Sequence, residues 1–346
     1  MSKKPLFFCL TRKFRWLKTP KSLTDLPHFS KSPAGWPLLI CAAALILAGQ
    51  ATEGQQVPAS SAQERARLFG QGAFPGPTST PTAEVEGYAE TSPNDKDIGE
   101  QAILKRAEEY KPFTISVFSQ FYWTSNAALV SSGEEDDVFV APGVALTYRP
   151  RITNNFYLEA GVVQQFFLYD QLTELNFASL DVIAGASYDV PRLHNLRLRA
   201  VYDYNRLTDT NDFDELFVNH SIVLTAEVPF QIARAQQIVL GTAFNLSFAG
   251  DPESPRRNSY VPYLNYHVDL SRSFSLDAAF QLAVRDYYSG DRTDVSETLA
   301  LSANYRARDW LMLSALSSFS WNQSNHSVFE YSVANVGGGV ALTLKF

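Results

Sequence analysis

From Phe113 to the last residue the chain alternates. Apolar residues recur at every second position in Leu180, Val182, Ala184, Ala186 and Tyr188, in Leu196, Leu198, Ala200, Tyr202 and Tyr204, and in Phe274, Leu276, Ala278, Phe280, Leu282 and Val284. The residues between them are polar, charged or small: Asp181, Gly185 and Ser187, then Arg197, Arg199 and Asp203, then Ser275, Asp277, Gln281 and Arg285. A period of two marks a strand with one apolar and one polar face. The pattern predicts twelve strands, over 113–123, 138–148, 156–168, 175–188, 196–205, 217–229, 237–248, 260–270, 273–286, 295–305, 310–321 and 328–346. Strands of a soluble sheet average about 5–6 residues. These run to about ten or more, the length a tilted strand needs to cross a bilayer.

The connections alternate too. Arg149–Asn155, Asp189–Asn195, Gln231–Gln236, Ser271–Arg272 and Arg306–Asp309 are short. Thr124–Asp137, Leu207–Leu216, Ala249–Ser259, Tyr287–Asp294 and Asn322–Ser327 are polar and mostly longer, and only the link near Asp170–Glu174 is short where a long one is expected. Short turns at one end and long loops at the other are the habit of membrane barrels.

The final strand ends on Phe346, with Leu344, Leu342 and Val340 at alternate positions before it. These residues resemble the C-terminal assembly signal of Gram-negative outer-membrane β-barrels. The resemblance covers about residues 113–346 and implies an all-β fold, a closed antiparallel up-and-down transmembrane barrel of about 12 strands. It also implies contact with outer-membrane lipid, lipopolysaccharide and the outer-membrane assembly machinery. An even strand count puts both barrel ends on one side, expected to be the periplasm. Aromatics gather at strand ends in two girdles: Tyr148, Phe156, Tyr188, Phe230, Tyr305, Trp310 and Phe346 on one side, and Trp123, Phe166, Tyr204, Phe248, Tyr260, Phe319 and Trp321 on the other. One strand breaks the pattern. Phe329, Tyr331 and Val333 are apolar at odd positions, whereas from Val336 the apolar set is even, which predicts a bulge near 333–338 beside the three glycines there.

Residues 1–36 carry eight basic residues against one acid, Asp25, and an apolar run follows to Ala48. This is the layout of a secretory signal peptide over 1–51, with cleavage expected after Ala51. Both cysteines, Cys9 and Cys41, lie within it, so the remainder has no disulfide framework and no thiolate metal site. The whole chain carries a net charge of −7, and losing a basic segment makes the rest more acidic, which argues against nucleic acid as a partner. Residues 52–112 are expected to form a periplasmic extension: 52–96 flexible, rich in Gly, Pro, Ser, Thr, Ala and Gln, then one short helix near 97–110 that ends before Pro112.

The inward face is expected to carry Glu159, Asp181, Asp189, Arg197, Arg199, Asp203, Glu227, His267, Asp269, Asp277 and Arg285 as channel-lining residues, with Lys345. Arg197 starts one strand, Asp189 ends the strand before it and Glu227 lies on the strand after it, so the three are expected to form an ion network. About eight strands fill a barrel interior and about sixteen leave an open channel. Twelve leaves both outcomes open. Outer-membrane barrels of this size include a phospholipase family with a His-x-Ser-Asn-Gly stretch, but the one His-x-Ser here is His28-Phe29-Ser30, in the targeting segment. His220-Ser221 and His326-Ser327 are adjacent on strands, so each pair points to opposite faces. No catalytic residue, cofactor or metal is expected. The acidic loops Glu134–Asp137 and Asp209–Glu215 read as solvated charge, and Asp251–Arg257 as a loop able to meet lipopolysaccharide through Arg256 and Arg257. The expected function is a narrow, porin-like passive pore in the outer membrane for small hydrophilic solutes, with slight cation preference. The alternatives are a closed structural or surface-interaction barrel acting through its external loops and, third, an outer-membrane lipid hydrolase.

Overall fold

The computed structural model describes residues 58–69 and 110–346. The expected signal peptide lies outside the described residues, as does the short helix near 97–110 except for Tyr110. Twelve strands run antiparallel: β1 (Phe113–Thr124), β2 (Asp137–Tyr148), β3 (Phe156–Tyr169), β4 (Phe177–Val190), β5 (Leu196–Asp209), β6 (Glu215–Ala233), β7 (Gln236–Asp251), β8 (Arg257–Asp269), β9 (Phe274–Tyr287), β10 (Thr293–Arg308), β11 (Leu311–Ser324) and β12 (Tyr331–Lys345). Each pairs with its sequence neighbours, and β1 pairs with β12, so the sheet closes on itself. The seam is finished by backbone bonds between Phe113 and Phe346, N to O at 3.1 and 2.9 Å. Closure leaves no strand edge, the condition for backbone polar groups inside hydrocarbon.

The alternation sets the facing. Ile115, Val117, Leu146, Leu198, Leu224, Leu264, Phe280, Leu299, Leu342 and Leu344 are exposed on the outer surface. In water such a belt would be costly. Against lipid it is the favourable arrangement. The girdle residues Tyr148, Tyr188, Phe230, Tyr305, Trp310, Trp123, Phe248 and Phe319 are exposed on the same surface, toward the ends of their strands. Inside, large rings lie flat over glycines of the next strand. A β-carbon on Gly241 would fall 2.2 Å from the Tyr263 ring, and one on Gly143 would fall 2.4 Å from that of Phe118. At these two positions glycine is what lets the aromatic fold against the wall.

Two expectations need correction. The expected bulge near 333–338 is absent: β12 stays in register there with both neighbours, from Ser332 opposite Trp321 to Val340 opposite Leu313, and from Asn335 opposite Thr124 to Val340 opposite Ser119. Tyr331 and Val333 are buried and face inward, as do Gly337 and Gly339 farther along, so the facing never changes and only the polarity of the inner face does. Register shifts fall elsewhere, as at His220/Ser221 in β6 and Arg306/Arg308 in β10.

The second correction concerns the extension expected to be flexible. Within it Pro58–Phe69, PASSAQERARLF, is a helix, α1. Proline suits the first helical position, three alanines and two long basic residues favour the interior, and Arg67 complements the last turn. Leu68 and Phe69 join Tyr122, Phe139, Phe167, Tyr169, Phe177, Leu207, Phe217, Tyr331 and Val333 in one buried apolar cluster. Those barrel residues all lie toward the end of the strands away from Phe113 and Phe346. That far half of the interior therefore holds a helix.

Candidate functional site: the barrel interior and its helix

The half of the interior nearer the termini is polar. Arg197 Nε lies 2.7 Å from Asp189 Oδ1, and its Nη1 lies 3.7 Å from Glu227. The Tyr263 hydroxyl donates to Glu227 at 2.9 Å. Beside this group Arg199 Nε lies 2.6 Å from Glu159, which Arg149 approaches to 3.4 Å. Arg149 belongs to a turn in the sequence pattern, and nothing in the alternation marks it as a partner. Asp181 accepts hydrogen bonds from Asn205 at 2.6 Å and Ser179 at 3.0 Å, and Asp203 accepts one from Ser221 at 3.4 Å. His267 contacts Asp277 through Nδ1 at 2.6 Å and Asp269 through Nε2 at 3.3 Å. Asp277 also accepts from Asn304 at 2.7 Å. The structure thus gathers ten of the eleven expected interior residues into neighbouring groups. Arg285 stands apart, near the far end of β9.

Arg285 belongs to a second cluster that no sequence pattern announced, centred on Glu64 of α1. The Glu64 carboxylate contacts the Arg257 guanidinium and lies 3.1 Å from Arg67 Nε and 3.7 Å from Arg285 Nε. The Tyr331 hydroxyl donates to it at 3.2 Å. Glu64 and Arg285 are each only 1% exposed. Burial alone would push the Glu64 carboxyl up. The guanidiniums of Arg257, Arg285 and Arg67 outweigh burial and hold it well below the usual carboxylate range. Arg257 Nη1 also donates to Tyr287 at 2.7 Å, and Arg285 Nη1 to Asn322 at 3.2 Å. Arg257, expected to meet lipopolysaccharide, turns into the barrel instead, because the strand starts three residues earlier than the alternation suggests and a buried carboxylate awaits it.

Other contacts fix the helix. The Arg65 guanidinium lies over the rings of Tyr169 and Phe177, at 5.5 and 5.2 Å from their centroids. Phe69 packs edge-on to Phe139 at 4.7 Å and tilted to Tyr122 at 5.3 Å. Ser60 Oγ lies 3.4 Å from Arg292, whose Nε forks onto Asp294 at 3.0 and 3.1 Å. Apolar contact at the C-terminal turn and ionic contact at the centre together hold α1.

His220 Nδ1 is 2.7 Å from the Tyr202 hydroxyl, and His326 Nε2 is 3.0 Å from the Gly290 carbonyl. Among the described residues neither ring is hydrogen-bonded to a serine hydroxyl.

No family model matches the sequence, and no curated protein matches it. Among solved structures, an outer-membrane channel from Pseudomonas putida F1 superposes with a TM-score of 0.51 at 12% identity, over 68% of this chain and 98% of that one. The fold is that of a bacterial outer-membrane barrel. The outer membrane phospholipase A from Escherichia coli aligns with a TM-score of 0.41 at 13% identity, over 66% of this chain and 92% of that one. The KdgM porin aligns with a TM-score of 0.34 at 10% identity, over 66% and 98%.

Proposed function

We propose that the protein is an outer-membrane channel for small hydrophilic solutes, closed in this conformation by α1, with both barrel termini in the periplasm and its longer loops outside. The observation that carries this reading is how α1 is held. A barrel filled for stability alone is served best by apolar side chains, because buried ion pairs recover their desolvation cost poorly. Here the stopper is built around a buried carboxylate and the guanidiniums of Arg67, Arg257 and Arg285, groups that water stabilises well once the helix leaves. The inward face left behind is polar along much of its length: the groups of Arg197 and Glu159, then Asp181, Asp203 and Asp277, then Arg257 and Arg285.

Among the described residues Asp181 and Asp203 make hydrogen bonds but no ion pair, which supports a slight cation preference for the part of the interior α1 does not fill. The short turns at the terminal end support a periplasmic placement of that end. The enclosed helix equally favours a second reading, a permanently closed barrel that works through its loops. Single-channel recording on the purified full chain in planar bilayers, under a potassium chloride gradient, separates the two. Stable steps, rarer in the wild type than in a Glu64→Ala variant, are expected of a stoppered channel. Silence from both, with folding shown by heat-modifiable gel migration, overturns it and leaves the closed barrel.

A further inference from the structure

We infer that the far half of the lumen contains an anion site, formed by Arg257 and Arg285 with the hydroxyls of Tyr287 and Tyr331, that takes the carboxylate of a small organic acid when α1 withdraws and that Glu64 occupies in the closed state. The inference rests on the channel reading and names the solute class for it.

The argument is one of charge. Arg257 and Arg285 are 7% and 1% exposed, and both stand on the barrel wall, on β8 and β9. Each has a neutral hydrogen-bond partner on the wall, Tyr287 for Arg257 and Asn322 for Arg285. Their ion-pair partner is Glu64, which comes from the helix. The wall carboxylate whose charge also reaches Arg257, Asp294, is already forked by Arg292. When α1 leaves, Glu64 and Arg67 leave with it, and the wall retains two adjacent guanidiniums with no carboxylate between them. Nη2 of Arg285 is enclosed and has no hydrogen-bond partner among the described residues even in the closed state, so the site has donor capacity that Glu64 does not use. Two guanidiniums and the Tyr331 hydroxyl meet at the Glu64 carboxylate, with the Tyr287 hydroxyl beside Arg257, and donors of this kind recognise a carboxylate. Glu64 is then a tethered occupant, and a free carboxylate competes with it for the same donors.

The test uses the full chain as Glu64→Ala and as Glu64→Ala with Arg257→Gln and Arg285→Gln, each checked for folding by heat-modifiable migration. Potassium acetate is added to chloride-bathed bilayers at constant potassium, and single-channel current is read. Acetate is expected to lower the current of the single variant, and the half-blocking concentration is expected to rise about tenfold or more in the triple variant, as for loss of a charged hydrogen-bond donor. Steps that acetate leaves unchanged, or blocks equally in both variants, overturn the anion site while the channel stands. Silence from both variants overturns the channel. The site is then judged by melting temperature: an acetate-dependent rise in the single but not the triple variant supports it, and equal behaviour overturns it.

Discussion

The Glu64→Gln substitution isolates the charge that holds the stopper. Glutamine keeps the length of the side chain and an oxygen for the Tyr331 hydroxyl, 3.2 Å away, but removes the counter-charge that Arg257, Arg67 and Arg285 share. With α1 docked, the 1%-exposed Arg285 would then lie in an enclosed space without an anion. Removing one partner of a buried ion pair costs about 3–5 kcal/mol. Because the amide still accepts hydrogen bonds, the low end applies. About 3 kcal/mol lowers the docked-to-undocked ratio roughly a hundredfold. Ser60, buried at 2% and in contact with Arg292, is a fitting reporter as Ser60→Cys, which changes one atom. The chain's own two cysteines, Cys9 and Cys41, precede the expected cleavage site at Ala51. Labelling of this cysteine by a membrane-impermeant maleimide follows the undocked population when docking is fast relative to the reaction. The expected result is labelling faster by about two orders of magnitude in the Glu64→Gln background, with unchanged heat-modifiable migration of the barrel. Equal labelling rates would refute the reasoning, because they would mean that the ion cluster does not hold the helix.

Three further outcomes are expected. Phe69→Ala removes the ring that meets Tyr122 and Phe139, and at about 3 kcal/mol for a buried phenylalanine it should open the stopper about as much as Glu64→Gln, read by the same labelling. Because the docked Glu64 carboxyl is held well below its ordinary value, its contribution to docking is complete above the undocked value near pH 4.3, erodes as pH falls beneath that and is lost on passing the docked value. Labelling of Ser60→Cys in the otherwise wild-type chain, divided at each pH by the rate for the unfolded chain so that the pH dependence of the thiolate cancels, should therefore be flat from pH 8 to about 5 and rise only below about 4, and a rise centred near 7 would assign docking to another group. Phe346→Ala leaves the two backbone bonds to Phe113 in place, so the unfolding midpoint of purified protein should change little while the assembled fraction in cells falls; a normal assembled fraction would remove the terminal aromatic from the assembly signal.

The barrel was legible because one of its two environments is uniform. Lipid demands an apolar residue at every outward position, so Leu196, Leu198, Ala200 and Tyr202 reveal a strand, its direction and its facing with no knowledge of the neighbours. The Arg197, Asp189 and Glu227 group followed from that facing and from hairpin connectivity alone. The inner face is another matter. Its polarity depends on what fills the interior at each depth, and lipid has no part in that. Where α1 sits, the inward residues turn apolar, as in Tyr122, Phe139, Phe167, Phe177, Phe217 and Val333. In β12 this made the apolar set change parity and imitate a bulge. The end of β8 was hidden for the same reason. Arg257 follows no lipid alternation, because its partner is Glu64 of α1.

The helix itself escaped for a reason that bears on function. An amphipathic helix shows a period of 3.6 because one side meets water. Ala62, Glu64, Arg65, Leu68 and Phe69 are all buried, and they include aliphatic, aromatic, acidic and basic side chains, because the barrel surrounds α1 and offers apolar rings to Phe69, guanidiniums to Glu64 and aromatic faces to Arg65. Its pattern is the imprint of the lumen wall around it. A sequence that matches a wall so closely in charge reports on that wall, and the position where the match is strongest, Glu64 against Arg257 and Arg285, is where a solute of like charge has most to gain by replacing it.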